Sequence, residues 1–86
     1  MPEVSRFFGV IITMNYGDHP PPHFHASYGR HKALIAIRPS ALLKGYLPPR
    51  VLGLVMEWAA LHPKELADNW ELARQQAEIA KIDPLE

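Results

Sequence analysis

The stretch His23-Phe24-His25-Ala26-Ser27-Tyr28-Gly29-Arg30-His31-Lys32-Ala33-Leu34-Ile35-Ala36-Ile37 decides the fold, because it reads as two strands joined by a tight turn. His23 to Tyr28 and Lys32 to Ile37 have strand character, and Gly29 at the first turn position suits a type II′ hairpin. A two-residue turn at Gly29-Arg30 pairs Tyr28 with His31. Side chains alternate at period two, so this register puts Phe24, Ala26, Tyr28, Ala33, Ile35 and Ile37 on one face. His23, His25, Ser27, Lys32, Leu34 and Ala36 take the other. The first face is the core. His23 and His25 then stand side by side on the wetter face, and His31, across the thickness of the sheet, is the weakest histidine candidate.

The flanks complete an α+β reading. Phe7 to Met14 is apolar on both alternating faces and reads as one central strand covered on two sides. Tyr16-Gly17-Asp18 supplies turn chemistry, and Pro20-Pro21-Pro22 cannot donate to a ladder. Arg38-Pro39-Ser40 ends the hairpin, and Leu42 to Leu47 forms a short further strand that stops at Pro48-Pro49. From Pro49 the period becomes helical, with Val51, Leu52, Leu54, Val55, Met56, Trp58, Ala59 and Leu61 apolar. Only Gly53, Glu57, Ala60 and Lys64 are left for water, which predicts burial against the sheet and against another element or a second subunit. His62-Pro63 starts a second, amphipathic helix whose apolar stripe is Leu66, Trp70, Ala73 and Ala77, with Arg74 and Glu78 at ion-pair spacing. Trp58 and Trp70 read as core anchors, and Asn69 as an exposed helix-surface amide. Ile79 to Glu86 is either an ordered strap or a frayed end. The expected architecture is a small antiparallel sheet of three to four strands followed by two α-helices packed on one face, in a single domain over residues 1–86.

Composition narrows the function classes. With 86 residues, 48% of them hydrophobic, the chain suits one modest core. Nine basic residues balance nine acidic ones, so net charge does not indicate nucleic-acid binding. There is no cysteine, which removes disulfides and thiolate chemistry and leaves His, Asp and Glu as the strong metal ligands. The apolar run Phe7 to Ile12 is too short to cross a bilayer and no signal-like segment opens the chain, so a cytoplasmic location is expected.

Three of the five histidines lie in Asp18-His19-Pro20-Pro21-Pro22-His23-Phe24-His25. Two histidines at i, i+2 on a strand project the same way, as a metal chelate built on extended backbone requires. His19 or Asp18 would add a third ligand and leave a position open, the pattern of a catalytic zinc site; manganese, iron or nickel also accepts such a set. The same residues also fit a plain proline-rigid loop, or metal-free acid–base work pairing a histidine with Asp18 or Glu57. Nucleophilic triad chemistry has no support, since no serine or threonine sits in a nucleophile elbow. Arg50, at the start of the first helix, and Lys32, on the wetter face, are secondary ligand-binding candidates.

Pro2 through Ser5-Arg6-Phe7, the motif Asp18-His19-x-Pro21-x-His23-x-His25-Ala26, Leu47-Pro48-Pro49-Arg50, Glu57-Trp58 and Asn69-Trp70 together resemble the short bacterial proteins of domain-of-unknown-function family 4160. The resemblance implies a small protein partner encoded in the same operon and a toxin-antitoxin-like module. Excess apolar surface on Val10 to Met14 and on the first helix adds the expectation of a homodimer or tight heteromer. Two readings follow, which leave open whether the chain is an enzyme. One is a binding or regulatory module acting with that partner; the other is a small metal-dependent hydrolase or nuclease using Asp18, His19, His23 and His25.

Overall fold

A computed structural model describes residues 2–86. The architecture is α+β: a five-stranded antiparallel meander followed by two helices. The strands are β1 (Glu3–Phe7), β2 (Val10–Thr13), β3 (His23–Tyr28), β4 (His31–Ala36) and β5 (Ala41–Gly45), neighbours in space in their chain order. The helices are α1 (Pro49–Leu61) and α2 (Pro63–Arg74).

The central hairpin has the expected register. Phe24 faces Ile35, Ala26 faces Ala33 and Tyr28 faces His31. Gly29 has φ +58° while Arg30 keeps negative φ, as a type II′ turn demands. The predicted single strand from Phe7 to Met14 is two strands. Phe8 and Gly9 have φ of 48° and 83° and form a two-residue hairpin turn between β1 and β2. An aromatic residue holds the position where Asn, Asp or Gly is usual, so the turn carried no compositional signal. The sheet therefore has five strands where three to four were expected, and β3 is its central strand.

Burial follows the two-residue alternation. Val10, Ile12 and Met14 join Phe24, Ala26, Ala33, Ile35 and Ile37 in the core, so the apolar surface expected to drive dimerisation from β2 is already covered within the chain. Trp58 of α1 lies on this face, with its ring centroid 5.5 Å from that of Phe7 and 5.7 Å from that of Phe24. Pro49 opens α1 where a missing N–H costs nothing. Its buried residues are Val51, Val55, Trp58 and Ala59, a narrower stripe than predicted; Leu52, Leu54 and Met56 are half-buried and Leu61 is 63% exposed.

Beyond Ala36, β5 starts at Ala41 and ends at Gly45, two residues short of the predicted end. Gly45 has φ +88°, and a Cβ there would run into the Lys32 carbonyl oxygen. Only glycine lets the chain pass β4 at that point. Pro63 begins α2, which carries Glu65 in its first turn and Arg74 in its last, in keeping with the helix dipole. The helix stops at Arg74, so Ala77 falls outside it and Arg74 pairs with Glu71 at 3.4 Å rather than with Glu78.

Asn69 overturns its reading as a surface amide. It is buried, donates from Nδ2 to the Ala80 carbonyl at 2.8 Å and accepts the Ala80 N–H on Oδ1 at 3.0 Å. The final segment is thereby an ordered strap. Ile82 N–H donates to the Val4 carbonyl, Trp58 Nε1 donates to the Asp83 carbonyl, and Ile82 and Leu85 are buried. Asn69→Ala should destabilise the protein by about 2 kcal/mol in urea unfolding. It should also make residues 76–86 the first target of limited proteolysis; an unchanged midpoint and digestion pattern would show that the strap is held by apolar contacts alone.

Candidate functional site

The β2–β3 connection is tethered at both ends by backbone bonds. Gly17 N–H donates to the Ala73 carbonyl of α2, and Ile37 N–H donates to the Pro22 carbonyl. Between these anchors the chain folds over the sheet face opposite α1. The result is a cluster of Asp18, His23 and His25 in which one ligand atom from each lies within 4.8 Å of the others. His23 Nε2 is 3.0 Å and His25 Nε2 3.3 Å from the same oxygen, Asp18 Oδ2. The two imidazole rings meet edge to face at 5.3 Å, and Trp70 of α2 lies 5.3 Å from the His23 ring. His23 is buried, and Asp18 and His25 are partly so.

Of the residues singled out in the sequence, His19 is not part of the cluster. Its side chain is exposed, and it contributes instead its backbone N–H, which donates to Asp18 Oδ1 at 2.9 Å. Arg50 is exposed and lines a separate cleft with Phe8, Tyr28, Val51 and Leu54. Lys32 is exposed on the same sheet face as His25. His31 packs its ring on Tyr46, and His62 pairs with Glu65 at 2.7 Å, so both lie outside the site. Arg6 is engaged by Glu3 at 2.8 Å.

Two further residues belong to the cluster. Asn15 Nδ2 lies 3.2 Å from His25 Nε2 and 3.4 Å from Asp18 Oδ2. Thr13, directly across the ladder from His25, is buried, and its Oγ1 has no hydrogen-bond partner among the described residues. Thr13 was legible once β2 was paired with β3, since a one-residue alternation puts it on the histidine face. Asn15 carried no signal; its role comes from the path of the loop.

The hydrogen-bond partners fix where the His23 proton lies. His23 Nδ1 is 2.8 Å from the Pro21 carbonyl, which can only accept, so Nδ1 carries a hydrogen. In neutral His23 the lone pair is then on Nε2, aimed at a carboxylate oxygen. When His25 Nε2 accepts the Asn15 amide hydrogen, it too presents no proton to Asp18. In that His25 tautomer two lone pairs and a carboxylate converge, the arrangement that a metal ion accepts; in the other, His25 Nε2–H donates to Asp18 Oδ2. Ligands about 2.1 Å from a tetrahedral ion sit roughly 3.4 Å apart, close to the 3.0 and 3.3 Å that separate Asp18 Oδ2 from the two histidine nitrogens. The His23 bond to a backbone carbonyl is also the outer contact that orients histidine ligands in metal sites.

Asp18 holds its charge readily. Burial pushes its carboxyl up, but the His19 N–H and the contacts with His25 and His23 outweigh that and leave it below its ordinary 3.8. A lowered folded-state value stabilises the fold fully above the ordinary value, and this contribution is lost as pH falls through the folded one. In EDTA, Asp18→Asn should therefore be less stable than the parent by about 1 kcal/mol at neutral pH. The gap should close as pH falls below the ordinary carboxylate value of 3.8 and through the lowered folded one, and a gap that stays constant with pH in urea titrations would contradict this assignment.

Comparison with known proteins adds the family. No curated protein and no solved structure matches the chain. Residues 9–71, from the β1–β2 turn into α2 and including the whole cluster, match the family described as "Domain of unknown function (DUF4160)". That span is well over half of the sequence, and the chain belongs to this family.

Proposed function

We propose that the protein is a metal-binding module in which Asp18, His23 and His25 hold one divalent cation. The observation that carries this reading is the convergence of three acceptor atoms within 4.8 Å around a histidine whose tautomer is fixed by the Pro21 carbonyl. Two imidazoles and one carboxylate suit zinc, manganese, iron or nickel. Three protein ligands leave positions open to solvent or substrate, the arrangement of catalytic centres. A cation held there would acidify a bound water, the chemistry of metal-dependent hydrolases. A cleft of about 450 Å³ flanks Asp18 between Pro20, Pro22, Trp70 and Arg74 and gives access from outside.

Protein purified without a histidine tag should carry about one equivalent of metal by elemental analysis, released on acidification as the imidazoles protonate. His23→Ala, His25→Ala and Asp18→Ala should each weaken binding by more than the roughly 10–100-fold typical of outer-shell losses, and Asn15→Ala by about that amount. His19→Ala should leave affinity unchanged. A folded protein with no stoichiometric metal and no uptake on titration would remove the reading.

A second reading, a binding or regulatory module acting with a small protein partner, is favoured by the sheet edge at β5. No strand lies beyond it among the described residues, and Leu42, Leu43 and Tyr46 are exposed along it. Exposed edges of this kind accept added strands. Co-expression with the product of the neighbouring gene should yield a complex stable to gel filtration, lost when Leu42 and Leu43 are changed to Lys; two proteins that elute separately would count against it.

A further inference from the structure

We propose that the sheet face beside the Asp18–His23–His25 cluster binds a phosphoryl anion, held between the metal's open positions and the ammonium groups of Lys32 and Lys44. The inference rests on the metal reading above and adds the class of ligand.

Register places the groups. Thr13, His25, Leu34 and Lys44 are consecutive partners across β2, β3, β4 and β5, so they form one row on one face. Ser27 and Lys32 are paired one step further along the strands, where the same face reappears after two residues. With strands spaced about 4.8 Å apart, the Lys44 backbone is roughly 10 Å from that of His25, a gap that a lysine side chain and one anion span together. His25, Ser27 and Leu34 are only half-buried, and Lys32 and Lys44 are exposed. Neither lysine has a carboxylate at ion-pair distance among the described residues.

The overall neutrality of the chain conceals a segregation of charge. Residues 19–56 contain Arg30, Lys32, Arg38, Lys44 and Arg50 and no aspartate or glutamate. The nine acidic residues all lie outside that span, mostly on α2 and the strap. Lys32 on β4 and Lys44 on β5 therefore stand exposed on strands that carry no acidic residue, beside the cluster. Salt-free lysines with no neutralising partner attract anions, and a half-covered face screens them less than open water does.

The chemistry on this face selects among anions. A carboxylate has two oxygens and one charge, which the metal alone would satisfy. A phosphoryl group has at least three oxygens and up to two charges, enough to meet a metal and two lysines at once.

Inorganic phosphate titrated calorimetrically into the metal-loaded protein is the probe, with a nucleoside monophosphate and a dinucleotide phosphodiester run in parallel to separate terminal from chain-embedded phosphoryl groups. Phosphate should bind, and the double variant Lys32→Glu/Lys44→Glu should lose about tenfold or more in affinity while keeping its metal. Lys64→Glu, a charge reversal on the exposed side of α2, should bind as the parent does. Binding should also weaken as salt rises. Metal uptake without affinity for any of the three probes, or affinity indifferent to the two lysines, would overturn the inference and leave the metal centre standing. Failure to take up metal would overturn the centre itself, and is seen separately in the metal titration that precedes the phosphate one.

Discussion

Shifting β3 against β4 by one residue would turn Phe24 and Ala26 to solvent and drive His23 and His25 into the core, because side chains change face at every step. The two-residue turn at Gly29-Arg30 forbids that slip, with Gly29 in the positive-φ conformation that the turn needs. One register thus settles two matters together. It gives α1 an apolar platform for Trp58, and it puts two imidazoles on the opposite face with the same orientation. Core and candidate site are two sides of one ladder, so neither tolerates a change in pairing without loss of the other.

What the ladder cannot supply is the third ligand, which arrives from the loop. Asp18 sits between two backbone anchors, one to α2 through Ala73 and one to the β4 end through Ile37. The prolines between them donate no hydrogen bonds, so the connection is held at its ends and by the side chain of Asp18 itself. The carboxylate accepts from the His19 backbone on one oxygen and meets both histidines on the other. This division of labour keeps one oxygen occupied by the protein and leaves the second as the meeting point of the cluster.

The hairpin, both helices, the core face and the pairing of His23 with His25 were legible in the sequence, because period-two and helical patterns report burial directly. The misses share a cause. The turn at Phe8-Gly9 is invisible when an aromatic residue takes a conformation usually left to glycine or asparagine, and with it went the count of strands. Asn69 looked like any surface amide, since nothing local announces that the strap returns eleven residues later to occupy both its donor and its acceptor. Within Asp18-His19, spacing offered two candidate ligands of equal claim. Only the direction of the chain after Gly17 turns the carboxylate inward and the adjacent imidazole out.

The strap also differentiates the two borders of the sheet. Its Ile82 N–H bonds the Val4 carbonyl of β1, whereas β5 has no strand beyond it among the described residues. A sheet with both borders free can extend in two directions and grow without limit, as fibres do. A strand arriving at the β1 border would have to displace the Ile82 bond, whereas one arriving at β5 would displace no strand among the described residues. The two borders of the sheet thus differ in what an added strand would have to break, and β5 is the border where it would break least.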